Sequence, residues 1–142
     1  MSFLTLDQAN AVIAGAVSKG RGLGLKPLTV AVVDGGGSLI AFQRADGSPG
    51  LRPAIAIGKA AGAAGLGVSS RKAGEMALER PHFVAAIGHL APHGLIPVAG
   101  GVNVLDGEGR VIGAVGVSGD TSDNDEICAL AGINAAGLRA QG

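Results

Sequence analysis

Two segments of this chain are nearly the same, and together they constrain its architecture more than any other feature. Val32-Val33-Asp34-Gly35-Gly36-Gly37-Ser38-Leu39-Ile40 lines up with Val104-Leu105-Asp106-Gly107-Glu108-Gly109-Arg110-Val111-Ile112. In each, an apolar, largely β-branched run meets an Asp-Gly turn and returns as a second apolar run. Glycine supplies the positive φ that a tight reversal needs. Each segment therefore predicts an antiparallel hairpin. Shared turn chemistry accounts for the likeness, because no second copy of the flanking helices is visible.

The first hairpin is expected over 28–34 and 38–44, the second over 102–105 and 110–117, with a short strand at 96–99 before it. The strands of the first are apolar on both faces, which predicts central strands covered on both sides. Helical signals fill the rest. Thr5-x-x-Gln8 reads as a capping box, and Ala9, Val12, Ile13, Ala16 and Val17 follow a helical stripe that should stop near Gly20–Gly24. Pro53 opens an Ala/Gly-rich helix over 54–65. Ser69 or Ser70 caps another to about Leu78, and Pro81 restarts a short one to about Leu90. Asp123-x-x-Glu126 caps a terminal helix with Ile127, Leu130, Ala131 and Leu138 on one side. Hairpins with segregated helices mean an α+β fold. One antiparallel sheet of four or five strands is expected, with the terminal helices on one face, in a single domain over residues 1–142, a length within the roughly 100–200 residues usual for one domain.

Composition narrows the function. The 26 glycines come with three Phe and no Trp or Tyr, so the core must be Val, Ile, Leu and Ala. Eleven basic and eleven acidic side chains cancel, which argues against nucleic-acid binding, as does the lack of stacking aromatics. No run approaches the ~20 apolar residues of a membrane span. The segment Met1–Asp7 does not read as a signal peptide, and the single Cys128 reads as a small buried hydrophobe; a cytoplasmic location is expected. So few charges on a small chain predict a homo-oligomer that hides apolar surface.

Three polar groupings are candidates for chemistry. Arg44, Asp46 and Lys59 flank the loop before the Ala/Gly helix, with Arg52 nearby. An arginine there can clamp a carboxylate, and a lysine on an apolar helix can act as a base; the alternative is an Asp46 salt bridge to Arg44 or Lys59. His82, His89 and His93 are weak metal candidates, and each could serve as an axial ligand of haem. Pro92 breaks the i, i+4 helical relation of His89 and His93. Asp120, Asp123, Asp125 and Glu126 crowd the loop after Gly113-x-x-Gly116-x-x-Gly119. They would repel a phosphate; Asp123 and Glu126 are expected as helix caps, with Asp120 a weak candidate for a hard cation.

The ordered set Asp34-x-Gly36-Gly37-x-Leu39-Ile40-Ala41-Phe42-x-Arg44-x-Asp46-Gly47, Ile57-Gly58-Lys59-Ala60, Gly100-Gly101, Ile112–Gly119 and Asp125-Glu126 resembles the GlcG/HbpS-like family, also found at the C-terminus of PduO-type proteins. The likeness runs from about Leu4 to Leu138. It implies a profilin-like α+β domain with a five-stranded antiparallel sheet, assembly as dimers up to octamers, and haem binding in some members. It transfers no catalytic residue and no iron ligand. Here Gly100-Gly101-Val102-Asn103-Val104 replaces the family's usual Gly-Gly-x-Pro-Ile.

The expected function is a cytosolic homo-oligomeric small-ligand-binding protein, with haem among the cofactors it admits. Arg44, Asp46, Arg52, Lys59, His89 and His93 are its candidate binding residues. The alternative is a catabolic enzyme, an isomerase, deaminase or hydrolase, acting on a small organic acid at a subunit-interface pocket with Lys59, Arg44 and Asp46 as catalytic candidates. A purely structural role is the third reading.

Overall fold

The computed structural model describes residues 3–142. Helix α1 (Leu6–Gly22) begins at the predicted capping box: Gln8 N–H donates to Thr5 Oγ1 at 3.1 Å, and Thr5 N–H to Gln8 Oε1 at 3.0 Å. The hairpins are β1 (Thr29–Asp34) with β2 (Leu39–Arg44), and β3 (Gly101–Leu105) with β4 (Val111–Ser118). Their turns are built alike. Asp34 Oδ1 accepts from the N–H groups of Gly36 and Ser38, and Asp106 Oδ1 from those of Glu108 and Arg110. Gly37 and Gly109 sit at φ 87° and 82°, where a side chain would be strained.

Between the hairpins lie α2 (Arg52–Leu66), α3 (Ser70–Glu79) and α4 (Pro81–Gly88); α5 (Ser122–Ala135) and a two-residue β5 (Arg139–Ala140) complete the chain. The sheet is antiparallel throughout, in the order β2-β1-β4-β3-β5. The α+β architecture with five antiparallel strands is as expected.

One face of the sheet presents Val30, Val32, Val102, Val104, Val115 and Val117 to Val12, Ile13, Cys128 and Ile133 of α1 and α5. Each such side chain contributes roughly 1.5–3 kcal/mol by leaving water. The other face carries α2 on small residues. A Cβ at Gly116 would lie 2.0 Å from the Ala56 carbonyl oxygen, and one at Gly101 would lie 2.2 Å from that of Lys59. Helix and strand backbones meet directly, at a separation only glycine allows.

The structure corrects several expectations. Strand β2 is an exposed edge, not a central strand, because no strand among the described residues pairs with its outer side. No strand forms over 96–99: Pro97 lacks an N–H, and Leu95 and Ile96 are instead used to pack on Gly62 and Gly58 of α2. The fifth strand is β5. Helix α5 is capped by Thr121, whose Oγ1 accepts from Asn124 N–H; Asp123 and Glu126 both hold Arg71 of α3. Its inner face is Cys128, Ala129, Gly132 and Ile133, while Ile127 and Leu130 are exposed. The reason is close approach: a Cβ on Gly132 would stand 2.3 Å from the Val12 carbonyl oxygen, so small residues must face α1.

Candidate functional site

The outer side of α2 borders a pocket of about 320 Å³, within the usual range of roughly 300–1,000 Å³ for small-ligand sites and near its lower limit. Its floor is Ala61, Gly62 and Gly65 of α2. The β1–β2 turn closes one side with Gly36 and Gly37, and the loop after α4 closes the other. The sequence explains the shape. The glycines remove side chains where the loop crosses: a Cβ at Gly62 would be 3.1 Å from Leu95 Cα. Helix α4 ends at Gly88 with His89 as its C-cap, so the chain turns and brings His93 round to the pocket wall. A Cβ at Gly37 would be 3.8 Å from His93 Cδ2, which sets the imidazole against the turn. Among the described residues His93 is the only ionisable side chain in the lining. An imidazole can ligate a metal or exchange a proton.

Lys59 has a different setting. Its side chain is 2% exposed and does not line the α2 pocket. Its ammonium donates to Asp125 Oδ2 at 3.1 Å and to the Val117 carbonyl at 2.9 Å. Asp125 Oδ1 accepts from Asp120 N–H at 2.9 Å. Burial pushes the Lys59 pKa down from its usual range, and the Asp125 charge opposes that shift. The pair ties α2 to α5 and to the end of β4. It is Asp125, not Asp46, that pairs with Lys59. Arg52, half-buried, donates to Ser118 Oγ at 3.0 Å.

Arg44 and Asp46 lie apart from this pair, in a groove of about 450 Å³ that Arg21 and Lys26 also line. His89 borders a third hollow beside Pro81 and Pro97, and His82 is exposed on α4. Asp120 accepts from Asn124 Nδ2 and from Lys26 N–H; hydrogen bonds from Asn124 and the Thr121 and Lys26 backbones hold its carboxyl below the usual range. Among the described residues no three His, Cys, Asp or Glu side chains converge as metal ligands. No helix among the described residues is long and apolar enough to cross a membrane.

Two features escaped the sequence reading. Asp125 was visible in the acidic crowd and in the Asp125-Glu126 pair of the resemblance, with no role assigned; its partner is 66 residues away. Asn103, where the resembled family usually has Pro, is fully buried. Its Nδ2 donates to the Ala63 carbonyl and to Gln141 Oε1, while its Oδ1 has no partner.

Comparison with known proteins bears on this geometry. The family model described as haem degrading protein HbpS-like matches residues 4–134. The fold is similar to that of a PduOC:haem complex, with TM-score 0.87 and 20% identity over 99% of this chain and 100% of that one. It is similar to Klebsiella pneumoniae protein ORFY, with TM-score 0.86 and 26% identity over 96% and 92%. It is also similar to HbpS, with TM-score 0.82 and 27% identity over 94% and 90%. No curated protein matches the chain.

Proposed function

The chain belongs to the HbpS-like family, and from that premise we propose that it is a homo-oligomeric small-ligand-binding protein that takes haem in the α2 pocket. The observation that carries the reading is His93, the sole ionisable side chain in an otherwise apolar lining. Haem needs flat apolar contact on its faces and one nitrogen for its iron. Ala61, Gly62, Gly65 and Leu66 offer the first, and the His93 imidazole the second. No lysine or arginine lines the pocket, so the propionates would remain toward solvent. When bound, the haem iron supplies electron exchange and binding of diatomic ligands; the chain's part is to hold the ring, shield one face from water and fix the imidazole.

The relatives support this reading through their own names: one neighbour is a haem complex, and the matching family is described by haem. Self-association belongs to the proposal. Leu90 at the pocket rim is 79% exposed, and Leu39 and Phe42 lie exposed on the unpaired edge strand β2. A second copy would cover such surface. A cytoplasmic location completes the proposal.

Titrating hemin into the protein and following the Soret band tests the proposal. A saturable shift at one equivalent per chain is expected, weakened in His93→Ala. An unchanged Soret band in the wild type would refute haem binding. A shift retained in full by His93→Ala would move the iron to another ligand.

A further inference from the structure

We propose that the groove between the end of α1 and the end of β2 is a second binding site, for a small organic acid with an apolar stem. The groove shares no lining residue with the α2 pocket, and the inference does not rest on haem binding. Three cations line it: Arg21 from the last turn of α1, Lys26 from the following loop, and Arg44 from the end of β2. Among the described residues none of the three is in an ion pair. Among the described residues Asp46 is the only carboxylate in the lining, so the described walls carry a net charge of plus two. Asp120 lies just outside, already accepting from Lys26 N–H and Asn124 Nδ2.

Apolar side chains line the groove as well, Val17, Leu25, Pro27 and Leu28, with Gln43 beside them. The backbone holds the arrangement: Thr29 pairs with Arg44 across the β1–β2 ladder, and Ala45 N–H donates to the Leu28 carbonyl at 3.0 Å. A carboxylate would take bidentate hydrogen bonds from a guanidinium, and its aliphatic stem would replace water on Val17 and Leu25. An ion with no stem, such as phosphate, would leave Val17 and Leu25 in contact with water.

Calorimetric titration of the full chain with glutarate, butyrate and inorganic phosphate tests the assignment. Saturable binding of glutarate or butyrate is expected, with phosphate weaker. Arg44→Gln and Arg21→Gln should each weaken binding by about tenfold or more, as loss of a charge-assisted hydrogen bond implies. Lys72→Gln, on the distant surface of α3, should bind like wild type. Arg44 is exposed and unpaired, so its replacement should leave the melting temperature unchanged. The proposal is overturned if neither carboxylate binds, if Arg44→Gln binds as tightly as wild type, or if phosphate equals glutarate. Hemin titration of Arg44→Gln keeps the two sites distinguishable: its Soret shift should match wild type whatever the calorimetry gives.

Discussion

Replacing Lys59 with Met removes one charge from the middle of the molecule and leaves the other behind. The stem of methionine is close to that of lysine, so little volume is lost. Asp125 keeps its bond from Asp120 N–H but loses the ammonium at 3.1 Å, and the Val117 carbonyl loses its donor at 2.9 Å. Both side chains are almost wholly out of water, at 2% and 1% exposure, so solvent cannot take the place of the lost partner. Removing one member of such a pair costs about 3–5 kcal/mol. For a domain of this length each kcal/mol moves the melting temperature by roughly 3–5 °C, so a drop of about 9–25 °C is expected. The doubly apolar variant, Lys59→Met with Asp125→Leu, should recover most of the loss, because it also removes the stranded charge. Urea unfolding of the wild type, both single variants and the double variant measures all four corners. A loss below about 1 kcal/mol in Lys59→Met would show that the pair is not a structural tie and would refute the reasoning.

Other expectations follow from the same structure. The folded-state pKa of Lys59 is depressed, so the unfolded chain binds the extra proton over the window from that depressed value up to the ordinary 10.5. Its contribution to stability therefore rises with pH across that window, and wild-type stability should climb more steeply there than that of Lys59→Met, by denaturant melts at alkaline pH. Gly116→Ala should cost at least about 3 kcal/mol or prevent folding, since its Cβ would sit 2.0 Å from the Ala56 oxygen. Gly65→Ala meets nothing within 4 Å and should stabilise the helix by up to about 1 kcal/mol, by thermal melts. Burial pushes the Cys128 thiol pKa up, so Ellman's reagent should react slowly with native protein and promptly once it is unfolded.

Features encoded by neighbouring residues were legible in the sequence. The capping box of α1, both Asp-Gly turns and the Pro53 and Pro81 helix starts depend on contacts within a few residues, and all lie where the spacing predicts. Features set by distant packing were not. Nothing in Leu39–Arg44 says that β2 is an edge, because that depends on which strand β1 meets on its other side. The buried face of α5 is its small-residue face, and hydrophobicity alone favoured Ile127 and Leu130. The site shows the same division. Arg44 and Asp46 stand on one groove, as their closeness in sequence suggests. Lys59 left them for a carboxylate 66 residues away, and His93 entered a pocket that no motif announces.

The two faces of the sheet differ in hardness. On the α1 and α5 side, a layer of valine and isoleucine side chains stands between the backbones, and volume-conserving exchanges are tolerated there. On the α2 side, main chain rests on main chain, and there is no such cushion. Sequence drift in relatives should therefore collect under the terminal helices and stall along the seam through Gly101 and Gly116. A load placed on the outer surface of α2 would pass into β3 and β4 almost undamped, as through a rigid plank.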